Sequence, residues 1–194
     1  MKKSLYSIFA LMAMLVAFTS CEKNEVENTA TVEMAGQWYV TVDAVDESGN
    51  PIEGGEDYFG LGRVMLLTYN TAANDANKMW VDDLGNFDLA AGYSYAGYPS
   101  YSLKSLVNID QSALTFSSSA AQNQSDVNGY GSELYPITIE GGKILKGAGR
   151  MNDGCACDSI VFFVKYEGDP WYPDDGYAKY KVSGIRYSGF TADE

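Results

Sequence analysis

Beyond Met34, apolar side chains recur at alternate positions in short runs, and Gly, Asn, Asp and Pro break one run from the next. A period of two is the pattern of a strand with one face buried and one face wet. Trp38, Val40, Val42 and Ala44 share one face of the first run, with Gln37, Tyr39, Thr41 and Asp43 on the other. Runs at 63–69, 78–81, 101–109, 113–117 and 178–187 read the same way, and 158–166, the most apolar, is expected to be buried on both faces. Runs at 136–140 and 143–145 flank Gly141-Gly142, a two-residue signal for a tight hairpin. The domain shows no convincing amphipathic helix and no repeat at solenoid or propeller periods. About eight to ten closely spaced strands predict an all-β fold, a barrel or a sandwich.

The length of 194 residues suits one domain with a real core. Fifteen tyrosines supply β propensity with a polar tip, and twenty glycines supply turns. The net charge is −13, and it becomes −15 if Lys2 and Lys3 are lost with a leader. So acidic a surface repels phosphate backbones, and no nucleic-acid partner is expected. Simple electrostatic docking on anionic lipid is disfavoured for the same reason. The chain has no histidine. The usual general base of Ser-His-Asp and Cys-His sites is therefore missing, as is the commonest zinc and copper ligand. No cofactor and no metal are expected, and a binding protein is favoured over an enzyme.

Residues 1–20 read as a signal peptide: Lys2-Lys3 form the positive start and 5–18 an apolar stretch too short for a confident membrane span. The stretch closes on Ala17-Phe18-Thr19-Ser20-Cys21, small residues before a Cys that resemble a bacterial lipobox. Cys21 would then be acylated and become the first residue of the mature chain, with an ordinary secretory leader as the alternative. Residues 21–33 are polar and read as a flexible tether, leaving 34–194 as the folded domain. The expected location is the outer membrane, reached by export, with the domain facing the periplasm or the cell surface.

Gly36-x-Trp38 on the first strand and Arg186 on the last resemble the lipocalin-like barrels. In those, the indole packs against a late Arg at the closed end, a cation stacked on an aromatic face. The wider pattern of 137–145, 158–162, Asp169-Pro170 and 180–190 is similar to a family of acylated bacterial surface proteins described as lipid-binding putative hydrolase. That resemblance spans roughly 34–190 and implies a lipocalin-like (calycin-type) barrel with a lipid-like ligand. The hydrolase half of the description brings no motif that can be placed on this chain.

Three groupings carry chemical alternatives. Cys155-x-Cys157 could be a local disulfide, half of a metal site, or two independent thiols; residues two apart close only a strained ring. Tyr93, Tyr95, Tyr98 and Tyr101, in a Gly/Ser-rich segment, form either an aromatic lip for a ligand or a surface loop and strand packed on the barrel. The stretch 169–176 holds Trp171 and Tyr172 among three carboxylates, either a calcium-holding loop or a Pro-pinned turn.

The reading that results is a lipid-anchored, non-catalytic barrel that holds a hydrophobic or amphipathic small molecule. Val40, Val42, Met65, Leu67, Met79, Phe162 and Val164 are the cavity candidates, with Tyr93, Tyr95, Trp171 and Tyr172 at the rim. Trp38 and Arg186 close the far end structurally. The alternatives are a lipid or ester hydrolase and a glycan-capture or adhesion module on the cell surface.

Overall fold

Alternation builds the wall. The computed structural model describes residues 28–87, 99–125, 133–169 and 177–190. It holds ten strands: β1 (Gly36–Val45), β2 (Val64–Asn70), β3 (Lys78–Asp82), β4 (Pro99–Ser100), β5 (Lys104–Asp110), β6 (Thr115–Ala121), β7 (Glu133–Leu134), β8 (Ile137–Arg150), β9 (Ala156–Tyr166) and β10 (Lys179–Arg186). Eight of them close an antiparallel barrel in the order β1-β10-β9-β8-β6-β5-β3-β2. Closure leaves no long edge exposed, which answers the aggregation hazard that an open β-sheet presents. The two short strands β4 and β7 pair in parallel outside the barrel.

Register places the faces. Trp38 lies opposite Arg186 on one side and Leu66 on the other, so even-numbered residues of β1, β2 and β10 share the interior. Val40, Val42, Met79, Val107, Ile139, Phe162, Val164 and Val182 are all 0–1% exposed, so no water-sized void touches them. An eight-stranded barrel is just wide enough for its side chains to fill, and below its mouth this one is filled. Met65 and Leu67 fall on the other parity. They take the outer face of β2, and Leu66 and Thr68 are the buried residues of that strand.

Two sequence expectations change. Gly141-Gly142 is not a hairpin but a bulge inside one continuous strand: pairing to β9 steps from Glu140↔Phe163 to Lys143↔Val161. Gly141 takes a φ of 60°, and a Cβ on Gly142 would collide with the Phe116 carbonyl across the ladder. The run 158–166 alternates instead of being buried on both faces, with Val161, Phe163 and Lys165 partly exposed. Packing also begins ahead of Met34. Thr31 and Met34 are fully buried, and the Ala30 N–H donates to Asn74 Oδ1 at 2.7 Å.

The two ends differ. The short connections 71–77, 111–114 and 151–155 and the N-terminal turn 29–35 all lie at one end, and the described residues of the four long connections 46–63, 83–103, 122–136 and 167–178 lie at the other. β2 leaves β1 after Val40, and the connection 46–63 takes its place along the wall. There Ala44 N–H donates to the Gly55 carbonyl (2.7 Å) and Tyr58 N–H to the Val42 carbonyl (2.9 Å).

Candidate functional site at the barrel mouth

One end is sealed. The Arg186 guanidinium stands 4.4 Å from the centre of the buried Trp38 ring and donates from Nη1 to the Ala35 carbonyl at 2.9 Å. Its Nε lies 3.3 Å from Asp158 Oδ2, and Lys146 Nζ joins Asp158 (3.3 Å) to Glu33 (3.1 Å). Burial pushes the Asp158 carboxyl up, but the Gly147 N–H, Lys146 and Arg186 outweigh it and hold the group below its ordinary value. Trp38 Nε1 donates to Thr68 Oγ1 (2.9 Å), which donates to the Met34 carbonyl (2.7 Å). Gly36 has to be glycine, because a Cβ there would collide with Arg186 Nη1. The side chains of Trp38, Thr68, Asp158 and Arg186 are spent on the seal, although the buried Thr31 hydroxyl in the adjoining turn has no partner among the described residues.

The opposite end is aromatic. Tyr180, on the inner face of β10, is surrounded by Tyr177 (ring centroids 5.0 Å apart), Phe59 (5.1 Å), Tyr101 (5.8 Å), Tyr58 (5.9 Å) and Tyr166 (6.0 Å). Such edge and tilted contacts each add about 0.5–1.5 kcal/mol beyond burial. Asp169, only 6% exposed, accepts from the Tyr101 hydroxyl (3.1 Å to each oxygen) and from the Tyr177 hydroxyl (3.2 Å). It thereby ties 83–103 to 167–178. Burial holds the Tyr101, Tyr177 and Tyr180 phenols well above their ordinary pKa of 10, so all three stay protonated at any physiological pH.

A second buried carboxylate sets the start of 83–103. Asp83 accepts the Gly85, Phe87 and Leu103 N–H groups at 2.9, 2.9 and 3.0 Å and the Ser102 hydroxyl at 3.2 Å. Desolvation nevertheless raises its pKa to about 6. Here, too, lies the nearest approach to a Ser-Asp pair. Ser102 is fully buried, and its hydroxyl is shared between Asp83 and Ser125, which makes it a clamp between connections.

Three buried hydroxyls have no partner among the described residues, Thr31 Oγ1 at the sealed end and two inward ones at the mouth. Tyr180 Oη (residue 2% exposed) and Ser105 Oγ (0%) have no hydrogen-bond partner among the described residues. The hydroxyls of Tyr101 and Tyr177 and the Asp169 carboxylate lie near enough to Tyr180 to perturb its titration, yet none forms a well-aligned bond with it. Each is the second residue of its strand counted from the mouth. β10 and β5 are four places apart in an eight-membered ring, so the two hydroxyls stand on opposite walls at the same end. Native interiors rarely leave such groups unpaired.

A family model described as lipid-binding putative hydrolase matches residues 23–191. The chain belongs to that family. Its lipid-binding description and the closed barrel agree with a lipid-binding role. No curated protein matches the chain.

Among the cavity candidates, Val40, Val42, Met79, Phe162 and Val164 face inward and pack on one another below the mouth. Met65 and Leu67 face outward because the parity of β2 is set by the Trp38↔Leu66 pairing. Cys155 and Cys157 are thiols and no disulfide joins them: Cys155 is exposed, and Cys157 is buried beside Gly149 and Ile185. Burial raises the Cys157 thiol above its ordinary value. Cys21, Tyr93, Tyr95, Tyr98, Trp171 and Tyr172 lie outside the described residues, as does 1–20. Of the stretch 169–176, Asp169 alone is described, and it is spent on tyrosine hydroxyls. No group of three His, Cys, Asp or Glu side chains among the described residues is placed to hold a metal ion.

The sequence reading missed Tyr58, Phe59, Tyr177 and Tyr180, and of the four tyrosines it offered as an aromatic lip the described one, Tyr101, does lie at the mouth. The spacing of these five carries no common period, since they come from β10 and three mouth connections. Only the count of tyrosines hinted at the others.

Proposed function

We propose that this protein is an exported lipoprotein, acylated at Cys21 and anchored to the outer membrane, that carries one hydrophobic small molecule at the mouth of its barrel. The observation that carries the binding site is the pair of buried, unpartnered hydroxyls of Tyr180 and Ser105 on opposite walls beneath an aromatic cover. A ligand enters by displacing Tyr58 and Phe59, both half-buried on the connection 46–63, and replaces their ring contacts with its own apolar surface. Its polar group then meets one of the waiting hydroxyls.

The tether supports an orientation. The N-terminal turn crosses the sealed end, and eight residues from Cys21 to Thr29 reach at most about 28 Å. The sealed end therefore lies nearest the anchoring membrane, and the mouth points away from it. Catalysis is not part of the proposal: without a histidine, ester cleavage would need a carboxylate, Lys or Tyr arrangement in contact with substrate.

Titration of the purified mature chain with the neutral apolar probe 1-aminoanthracene tests the site. Saturable binding at one site per chain, weakened several-fold by Tyr180→Phe with Ser105→Ala, is expected. Equal binding by wild type and this double variant would place the ligand elsewhere.

A further inference from the structure

Charge at the mouth selects the ligand's head. The described residues of the four connections there carry nine acidic residues against a single base, Arg63: five acids on 46–63, Asp83 on 83–103, Glu133 on 122–136, and Glu167 and Asp169 on 167–178. These are nine of the 26 acids in the chain but one of its thirteen bases. The bases concentrate instead on the walls and at the sealed end, where Lys146 and Arg186 are held by Glu33 and Asp158. Two described carboxylates are buried at the mouth, Asp169 with two tyrosine hydroxyls already donated to it and Asp83 with three N–H groups and the Ser102 hydroxyl. The unpartnered groups are hydroxyls of neutral side chains, Tyr180 and Ser105, and the lysines next to them in sequence, Lys179 and Lys104, are paired with Glu140 and Asp82.

We infer that the mouth takes a lipid-like molecule with a neutral, hydrogen-bonding head, such as an alcohol or amide, or with a cationic one, and rejects free fatty acids and other anionic lipids. This rests on the binding site proposed above. A carboxylate or phosphate entering the mouth meets mostly acidic connections, and Lys104 and Lys179 at this end are already paired with Asp82 and Glu140, so like-charge juxtaposition in a desolvated site is costly. A hydroxyl head meets no such penalty. It can donate to Tyr180 Oη or accept from it, satisfying a group that is otherwise buried without a partner. The same field draws a cationic head towards the mouth, most strongly at low ionic strength.

The test is a matched series of one chain length, hexadecanol, hexadecylamine and palmitate, each competing with bound 1-aminoanthracene on the mature chain below its aggregation concentration. Hexadecanol and hexadecylamine should displace the probe about tenfold or more better than palmitate. Added salt should narrow the gap for the amine and for palmitate and leave the alcohol unchanged. Glu53→Lys with Glu56→Lys, two exposed positions on 46–63, should improve palmitate several-fold without altering hexadecanol. Palmitate binding as tightly as hexadecanol in the wild type would overturn the inference and leave the site standing. Failure of all three to displace the probe would overturn the site itself.

Discussion

Replacing Tyr180 with Phe should make the empty protein more stable and its ligand complex weaker. In the structure the ring of Tyr180 contacts five aromatic neighbours, and Phe keeps all of those contacts. What Phe removes is one hydroxyl with no hydrogen-bond partner among the described residues, on a residue 2% exposed. Leaving such a group unsatisfied costs about 1–3 kcal/mol, and deleting it recovers a comparable amount. For a domain of this size each kcal/mol moves Tm by about 2–4 °C, so a rise of a few degrees is expected. Urea denaturation and a thermal scan of ligand-free wild type and Tyr180→Phe measure this, after organic extraction of both. With hexadecanol bound the order should reverse, because only the wild type gains the hydroxyl contact. A ligand-free Tyr180→Phe less stable than wild type would refute the reasoning, since it would mean that the hydroxyl is well bonded in the native state.

Gly36→Ala should destabilise by about 1–3 kcal/mol, as the new methyl forces Arg186 off Trp38; a near-native denaturation midpoint would contradict the seal. For Asp83 the folded pKa of about 6 lies above its ordinary value of 3.8, so its stabilising contribution is present below about pH 4 and lost as pH rises through 6. Two units are worth about 3 kcal/mol. The stability difference between wild type and Asp83→Asn should therefore shrink by roughly that amount from pH 4 to pH 7, and a flat difference would show that Asp83 titrates normally. Cys155 should react with a thiol reagent at once and Cys157 only on unfolding, and equal native rates would contradict the burial of Cys157. Phe59→Ala should speed probe entry several-fold with little change in the fold, and stopped-flow fluorescence reads it.

Strand positions were legible because alternation reports a wall that is wet outside and dry inside, and the Trp38–Arg186 pairing was expected from the resemblance to lipocalin-like barrels. The inner face of β2 was not legible. Met65, Leu66 and Leu67 are apolar in succession, so hydrophobicity alone leaves the parity open until the pairing of Trp38 with Leu66 fixes it. Gly141-Gly142 misled for a related reason: two glycines serve a hairpin and a bulge equally well, and only the partner strand decides between them. The mouth was the least legible part. Tyr58, Tyr101 and Tyr177 are far apart in sequence and meet only because the barrel brings three connections to one end. The missing partner of Tyr180 is a fact of packing, which no local pattern encodes.

Native mass spectrometry of the full mature chain, isolated from the membrane of the cell that makes it, tests the central claim most directly. The account predicts a one-to-one adduct of a neutral or cationic apolar molecule that is removed by organic extraction and rebinds to wild type but poorly to the double variant Tyr180→Phe with Ser105→Ala. A chain that flies bare under gentle conditions, and takes up none of the lipids extracted from the same membrane, would contradict it.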